Sequence, residues 1–453
     1  MRSLLVFPAL ILLPLISHCQ ITFQRSYDLG TAESAYTVTQ TFDGGYAICG
    51  RKSAFGSPVA FLLRTNPYGD SLWSKTYPDY MTYAERIMHQ TADSGFILCG
   101  NDSSIWLIKT DRNGDTLWTS HLPGRVASGV AETADHGYII TSPYPSPNLT
   151  KTDAAGKLVW QQFYRIYAPQ DYGNVYSFLQ TSDGGYMMAG NCQYNAFGMT
   201  TLSSFLVKAN AGGDSLWTKI YSYVNGKVDL YTVSQTADGG YFLSGSMVPF
   251  LGYSRQGYAV RTNENGDTLW TGRNHFQESE FISSDIASDG NFITSGVMQT
   301  NTGGYGVAIM LFKYRQNGTV AFTRYFPYGD IGNSVQTTSD HGFIIAGEKS
   351  GNIILIKTDS LGRAAPAGID ENNNQEGLTI FPNPSHGKFR LTIPANATSV
   401  EVTDIRGQVV YRKSFTGNPP GEVDIDLSSW GKGGYVVTVV VGSTILYGKL
   451  VNW

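Results

Sequence analysis

Beyond residue 30 the chain is written in short runs of alternating apolar and polar positions, separated by turns built on Asp and Gly. A period of two puts every second side chain on one face of a sheet, and the spacing of three and four that marks an amphipathic helix is nearly absent. The first unit reads directly. A strand over Tyr36 to Thr41 turns at Asp43-Gly44-Gly45 and returns through Tyr46 to Gly50. A third strand covers Phe61 to Thr65, a second turn falls at Tyr68-Gly69-Asp70, and a fourth strand runs from Leu72 to Tyr77. Asp-Gly between apolar runs predicts a two-residue hairpin turn with positive φ at its centre, supplied by Gly or, in the sixth unit, by Asn291.

The unit recurs. Asp43, Asp93, Asp135, Asp183, Asp238, Asp289 and Asp340 open equivalent first turns at spacings of 42 to 55 residues, the period of a propeller blade of four strands. The fourth strand carries Trp73, Trp118, Trp160, Trp217, Trp270 and Phe322, and the seventh unit lacks one, running instead into Ala364-Ala365-Pro366. Phe23, in the apolar stretch Ile21 to Tyr27, stands 20 residues before Asp43, inside the 17 to 23 that separate the other six aromatics from their next Asp. The N-terminal strand is therefore expected to complete the seventh blade, so that no blade edge is left open. First and second turns are nearly constant in length, whereas the connections between second and third strands, and from blade to blade, vary. In an antiparallel blade these two classes emerge on opposite faces, and the variable face is the candidate binding face.

Composition narrows the classes. Net charge is −4 with no Lys/Arg cluster, which argues against nucleic acid and anionic membrane. Arg2, the apolar run Leu4 to Ile16 and Ser17-His18-Cys19 read as a signal peptide over residues 1–19, with maturation before Gln20; acylation of Cys19 is the lesser alternative because His18 is bulky. The run is too short for a transmembrane span, and none is expected in the mature chain. Cys49, Cys99 and Cys192 then remain, an odd number, and read as small buried residues, with a Cys49–Cys99 bridge left open.

Candidate chemistry divides between the two faces. Each unit places a cation five residues before the second-turn Gly: Arg64, Lys109, Lys151, Lys208, Arg261, Lys313 and Lys357. With the seven Asp they form either a ring that binds an ion or polymer, or turn caps and internal pairs; seven equal copies favour a scaffold, because a site needs an asymmetric copy. The variable loops are rich in Tyr. Tyr80, Tyr167, Tyr172, Tyr194, Tyr223 and Tyr253 are the candidate ligand-binding residues, with Tyr77, Tyr164, Tyr176, Tyr221, Tyr231 and Tyr258 in the same group; such rings either stack on sugars and anchor peptides or cover the blade ends. Asp171, Asp229, Glu278, Glu280 and Asp285 are the carboxylates from which a hydrolytic pair could be drawn. No zinc spacing, nucleophile elbow or phosphate loop occurs, so no cofactor, metal or catalytic residue is expected and an enzyme is the lesser reading.

A polar linker, 364–377, precedes a second set of strand-like runs from Leu378 to Trp453. Phe381-Pro382-Asn383-Pro384-Ser385-His386-Gly387, Val402-Thr403-Asp404-Ile405-Arg406-Gly407-Gln408, Gly433-Gly434-Tyr435-Val436-Val437 and Gly448-Lys449-Leu450-Val451 follow in order. These four motifs resemble the type A C-terminal sorting domain of the type IX secretion system, with Pro382, Asn383, Pro384, Gly387, Asp404, Gly407, Gly434, Tyr435 and Lys449 as the motif residues. The resemblance implies a bacterium of the Bacteroidetes type, partnership with the outer-membrane translocon and its sortase-like peptidase, and release or surface attachment of the remainder. The preceding units resemble the Asp-Gly-Gly-Tyr repeat regions of other secreted proteins of such bacteria. The expected fold is all-β: a seven-bladed β-propeller over 20–363, closed by the N-terminal strand, then a small Ig-like β-sandwich over 378–453. The expected role is glycan or protein binding, with a glycan hydrolase or lyase, or a structural surface-layer protein, as alternatives.

Overall fold

A computed structural model describes residues 20–452, apart from 55–56, 78–86, 102–103, 144, 167–172, 197–198, 224–225, 250–253, 275–277, 301–305, 328, 365–377, 379, 384, 405–407, 416, 418, 420 and 442–443. Side chains at 54, 57–58, 101, 193–196, 199–202, 300, 306, 444–449 and 451 also lie outside the description. The chain divides into two compact units, Met1–Ala367 and Gly368–Trp453.

The first unit holds seven four-stranded antiparallel sheets among its described residues. Blade one is Glu33–Gln40, Tyr46–Ala54, Ser57–Thr65 and Ser71–Tyr77, hydrogen-bonded in that order. Blades two to six follow the same order, their first strands being Met88–Gln90, Gly129–Glu132, Gly173–Gln180, Lys227–Gln235 and Ser279–Ile286. The seventh combines Ile331–Thr337, Phe343–Lys349 and Asn352–Thr358 with Phe23–Tyr27, which pairs antiparallel to Asn352–Thr358 with Phe23 opposite Lys357. Each sheet touches the next through its first strand, and the seventh touches the first, so the ring closes.

Side chains explain the closure. Each fourth-strand aromatic packs on an aromatic of the next blade's second strand, with ring centroids 5.8 to 6.5 Å apart from Trp73–Phe96 through Phe322–Phe343, and Phe23–Tyr46 falls in this series at 5.9 Å. The same ring lies over the glycine of that blade's second turn: a Cβ on Gly114 would stand 2.7 Å from Trp73, and one on Gly69 2.7 Å from Phe23. Four residues beyond the aromatic, the hydroxyls of Tyr27, Tyr77, Tyr164 and Tyr221 donate to the carbonyls of Gly69, Gly114, Gly213 and Gly266 at 2.5 to 2.8 Å. Tyr77, Tyr164 and Tyr221 thus clamp one blade to the next, as the blade-end alternative has it.

The turns also differ from the two-residue expectation. Thr41 N–H donates to Gly45 O and Gly44 N–H to Thr41 O, a three-residue loop in which the left-handed residue is Gly44. Ser94, His136 and His341 occupy that position in three blades with φ between 62° and 67°, and in blade six Gly290, not Asn291, holds the positive φ. The following glycine, present in every blade but the sixth, serves space instead. On Gly137 a Cβ would stand 2.2 Å from Thr152 O and 2.3 Å from Lys151 Nζ.

Among the described residues five first strands carry a β-bulge, where the register skips Tyr36, Tyr176, Tyr231, Ile282 or Asn333. Opposite each bulge lies a glycine, Gly50, Gly190, Gly245, Gly296 or Gly347; a Cβ there would come within 1.8 to 2.0 Å of a first-strand carbonyl oxygen. Backbone approach at the bulge thus selects the glycine.

The second unit packs a three-stranded sheet, Ile380–Phe381, Lys388–Thr392 and Glu422–Asp426, on a four-stranded one, Val409–Ser414, Ala397–Asp404, Gly433–Val441 and Thr444–Asn452. Leu391, Val423 and Ile425 of the first meet Val400, Val402, Val437 and Val439 of the second in one apolar core.

Candidate functional site

The repeated charges form a scaffold. All seven Asp pair with the cation of their own blade: Asp43 with Arg64, and the six others at 2.6 to 2.9 Å. The cation side chains are 1 to 8% exposed, buried beneath their turns, and in six blades, all but the sixth, the ammonium or guanidinium also donates to a backbone carbonyl, as Lys151 does to Thr152 O at 2.8 Å. The Asp carboxylate accepts from the hydroxyl of the Thr two residues earlier in six blades and from the N–H two residues later in all seven. The hydroxyl of Thr133 contributes most to holding Asp135 down to about 2, and Lys151 and Gly137 N–H add to it against burial. In Asp183, burial acts upward but the bonds from Lys208, Thr181 and Gly185 outweigh it and give about 2. The sequence reading also passed over the Gln or Glu three residues before the repeated Asp. Gln90, Glu132, Gln235 and Gln40 accept the N–H of Phe42, Ala92, Ser182 and Ser339 across four blade junctions.

Asymmetry lies at the opposite end of the first strands, where blades four, five and six meet. The bulges aim Tyr176 and Tyr231 at each other, with ring centroids 5.3 Å apart and planes at 79°. Asn191 Nδ2 donates to Tyr176 Oη at 2.9 Å and to Asp229 Oδ1 at 2.5 Å, while Asn174 Nδ2 donates to Asn191 Oδ1 at 3.1 Å. Tyr231 Oη lies 3.3 Å from Ser246 Oγ and donates to Glu280 Oε2 at 3.4 Å; Arg255 Nη1 donates to the same oxygen at 2.7 Å. Burial pushes the Asp229 carboxyl up, against the opposing pull of Asn191 and Arg255. Burial likewise drives the Tyr176 phenol up to about 12. Burial acts downward on Arg255, but Glu280, Tyr231 and Asp229 together hold it above its ordinary value. Two of the five candidate carboxylates, Asp229 and Glu280, thus belong to one cluster.

The other candidates fall elsewhere. Asp285 accepts the backbone N–H groups of Ile286 and Thr337 at 2.8 Å and joins blade six to seven. Glu278 sits exposed at φ 48°, outside the hydrogen bonds of the cluster. Tyr223 is half-buried and packs against the core of blade five. Tyr80, Tyr167, Tyr172, Tyr253 and Asp171 lie outside the described residues, as does the side chain of Tyr194. Cys49, Cys99 and Cys192 are buried thiols rather than a disulfide, and burial pushes Cys49 and Cys99 up. Among the described residues no group of three or more His, Cys, Asp or Glu is placed to hold a metal ion, and no helix is long and apolar enough to cross a membrane.

In the second unit the motif residues shape turns and ends. Gly387 has φ 96°, and a Cβ there would stand 2.6 Å from the Ser428 backbone. Pro382 follows Phe381 through a cis peptide, and Asn383 continues that turn. Asp404 Oδ1 accepts Gln408 N–H at 2.9 Å. Tyr435 is buried, its hydroxyl donating to Gly431 O at 2.5 Å. Gly434 and Lys449 pair within the last two strands, with Val451 and Val436. Pro384 and Gly407 lie outside the described residues. Asn452, absent from the motif reading, is buried and donates to the carbonyls of Leu427, Trp430 and Gly431 at 3.2 to 3.3 Å, fastening the last strand.

Residues 379–452 match the secretion system C-terminal sorting domain. No curated protein matches the chain. Among solved structures, the WD40 β-propeller domain of Doa1 is similar at a TM-score of 0.51 and 12% identity, over 76% of this chain and 99% of that one, a likeness of fold alone. The findings together show a β-propeller followed by a sorting tail of the type IX kind, which marks the chain for export to the cell surface or beyond.

Proposed function

We propose that this chain is a binding protein that reaches the surface through the type IX translocon, loses its tail to the sortase-like peptidase, and holds a glycan or protein on the variable face of its propeller. The observation that carries the binding role is the asymmetry at blades four to six. The seven ion pairs use their charges internally, whereas the Asp229 cluster leaves a part-buried carboxylate, an arginine and two phenols at one end of the first strands. A second reading, glycan hydrolysis or lysis, is favoured by one observation: burial raises the Asp229 carboxyl in a cluster that also holds the Glu280 carboxylate. Product release from a bound glycan would select it.

For the tail, deletion of 378–453 is expected to leave a folded propeller in the periplasm. Fractionation with surface proteolysis checks this, and normal surface display of the truncated chain would overturn the export role.

A further inference from the structure

We infer that the polar sector shared by blades four, five and six is a binding site for a neutral saccharide unit. This deepens the binding role proposed above and rests on it.

The fold does not require these groups. Nine residues before the repeated Asp, the first strands carry Asn174, Asp229 and Glu280 in three consecutive blades, whereas Ile331 stands there in blade seven and Val126, ahead of the first strand, in blade three. At this level the junction of blades seven and one carries two side-chain bonds, Ser34 Oγ to Glu348 Oε2 at 2.7 Å and Asn333 Nδ2 to Ala35 O at 2.8 Å. That junction is bridged by hydrogen bonds from neutral donors. Concentrating two carboxylates, an arginine, two asparagines and two tyrosines at adjacent junctions adds a desolvation cost without a packing need.

The donors and acceptors left over define the ligand. Asp229, half-buried, gives Oδ1 to Asn191, and its Oδ2 receives no hydrogen bond from a described residue. Glu280 spends Oε2 on Arg255 and Tyr231. Arg255 is 49% exposed, with guanidinium N–H groups beyond the one given to Glu280. An ammonium or guanidinium ligand would compete with Arg255 for Glu280, and an anion would meet two carboxylates. A neutral ring bearing adjacent hydroxyls satisfies both kinds of leftover group, because each hydroxyl donates to a carboxylate oxygen and accepts from the guanidinium. Tyr176 and Tyr231, part-exposed and edge to face, supply the apolar surface that a saccharide's C–H face covers.

The test is an array printed with neutral oligosaccharides ending in glucose, galactose, mannose or N-acetylglucosamine, with sialylated, sulfated and amino-sugar oligosaccharides, and with a protein panel, probed with the whole chain. Binding to neutral members is expected, and titration of the best one should weaken at least tenfold in both Asp229→Asn and Glu280→Gln. Thermal melting within a few degrees of the parent shows that each variant is folded; Tyr176→Phe, which keeps the ring, is the second variant and should weaken binding less. Binding confined to charged glycans or proteins, or neutral binding that survives both acid substitutions, would overturn this site while leaving the proposed binding role intact. Silence across the array would overturn both.

Discussion

Replacing Phe23 by Ala should destabilise the propeller by about 3–5 kcal/mol, the usual cost of removing a buried phenyl ring. Phe23 is 5% exposed, packs edge-on against Tyr46 and covers Gly69, and it belongs to the strand that joins the two ends of the repeat array. Trp118→Ala removes an equivalent knob between two blades that are already consecutive in the chain, so its damage should stay local. Hydrogen exchange separates the two effects. In Phe23→Ala the amides of Asn352–Thr358 should lose protection, because their outer pairing partner is Phe23–Tyr27, whereas Trp118→Ala should leave them protected. Unchanged protection in Phe23→Ala would mean that the N-terminal strand does not close the ring.

Asp340→Ala should cost about 2–4 kcal/mol, toward the lower part of the range for breaking a buried ion pair because the carboxylate is partly solvated. Its partner Lys357 is 1% exposed, and burial already pulls that ammonium's pKa down, so loss of the carboxylate strands a charge with Thr358 O as its remaining hydrogen-bond partner. Asp135→Ala, whose carboxylate side chain is 66% exposed, should cost less than half as much. Denaturant melts of the two variants measure the difference, and equal costs would refute the burial argument. The same pairs set the acid limit. Folded Asp135 and Asp183 titrate near 2, below the ordinary value near ~3.9 of an unfolded aspartate. Their stabilisation is therefore complete above about pH 4 and is lost as pH falls toward 2. Melting temperature should drop across that window and stay level above it.

Much of this architecture was legible because a repeat states each rule several times. Seven Asp-led turns and six fourth-strand aromatics marked the blades, and the distance from Phe23 to Asp43 was enough to assign it to the vacancy in the seventh. The turn geometry was misjudged because Asp-Gly fits both a two-residue turn and a three-residue loop; Ser94, His136 and His341 at the left-handed position were the available sign that the next glycine serves space rather than φ. Tyr77, Tyr164 and Tyr221 read either as face residues or as blade-end cover because loops and strand ends look alike in sequence, though their place four residues after the Trp makes them part of the repeat.

The candidate site was half legible. Asp229 and Glu280 stood among the carboxylates considered, and Tyr176 and Tyr231 among the rings, but nothing in their spacing joined them, since they come together only when three blades are placed side by side. The bulges that aim the tyrosines had a sign of their own: a small residue followed by Gly in the second strand, as at Ala189-Gly190 and Ser244-Gly245, where a side chain would collide with the bulged neighbour. Arg255 gave no sign beyond its charge, because its role depends on a carboxylate supplied by the next blade.

We place the working face at the asymmetric end of the first strands, away from the ring of repeated turns. Hydrogen exchange on the whole chain with and without its best array ligand tests this most directly. The account predicts added protection at Asn174 to Tyr176, Asp229 to Tyr231 and Glu280, with the turns at Asp43, Asp135 and Asp238 unchanged; protection confined to those turns would contradict it.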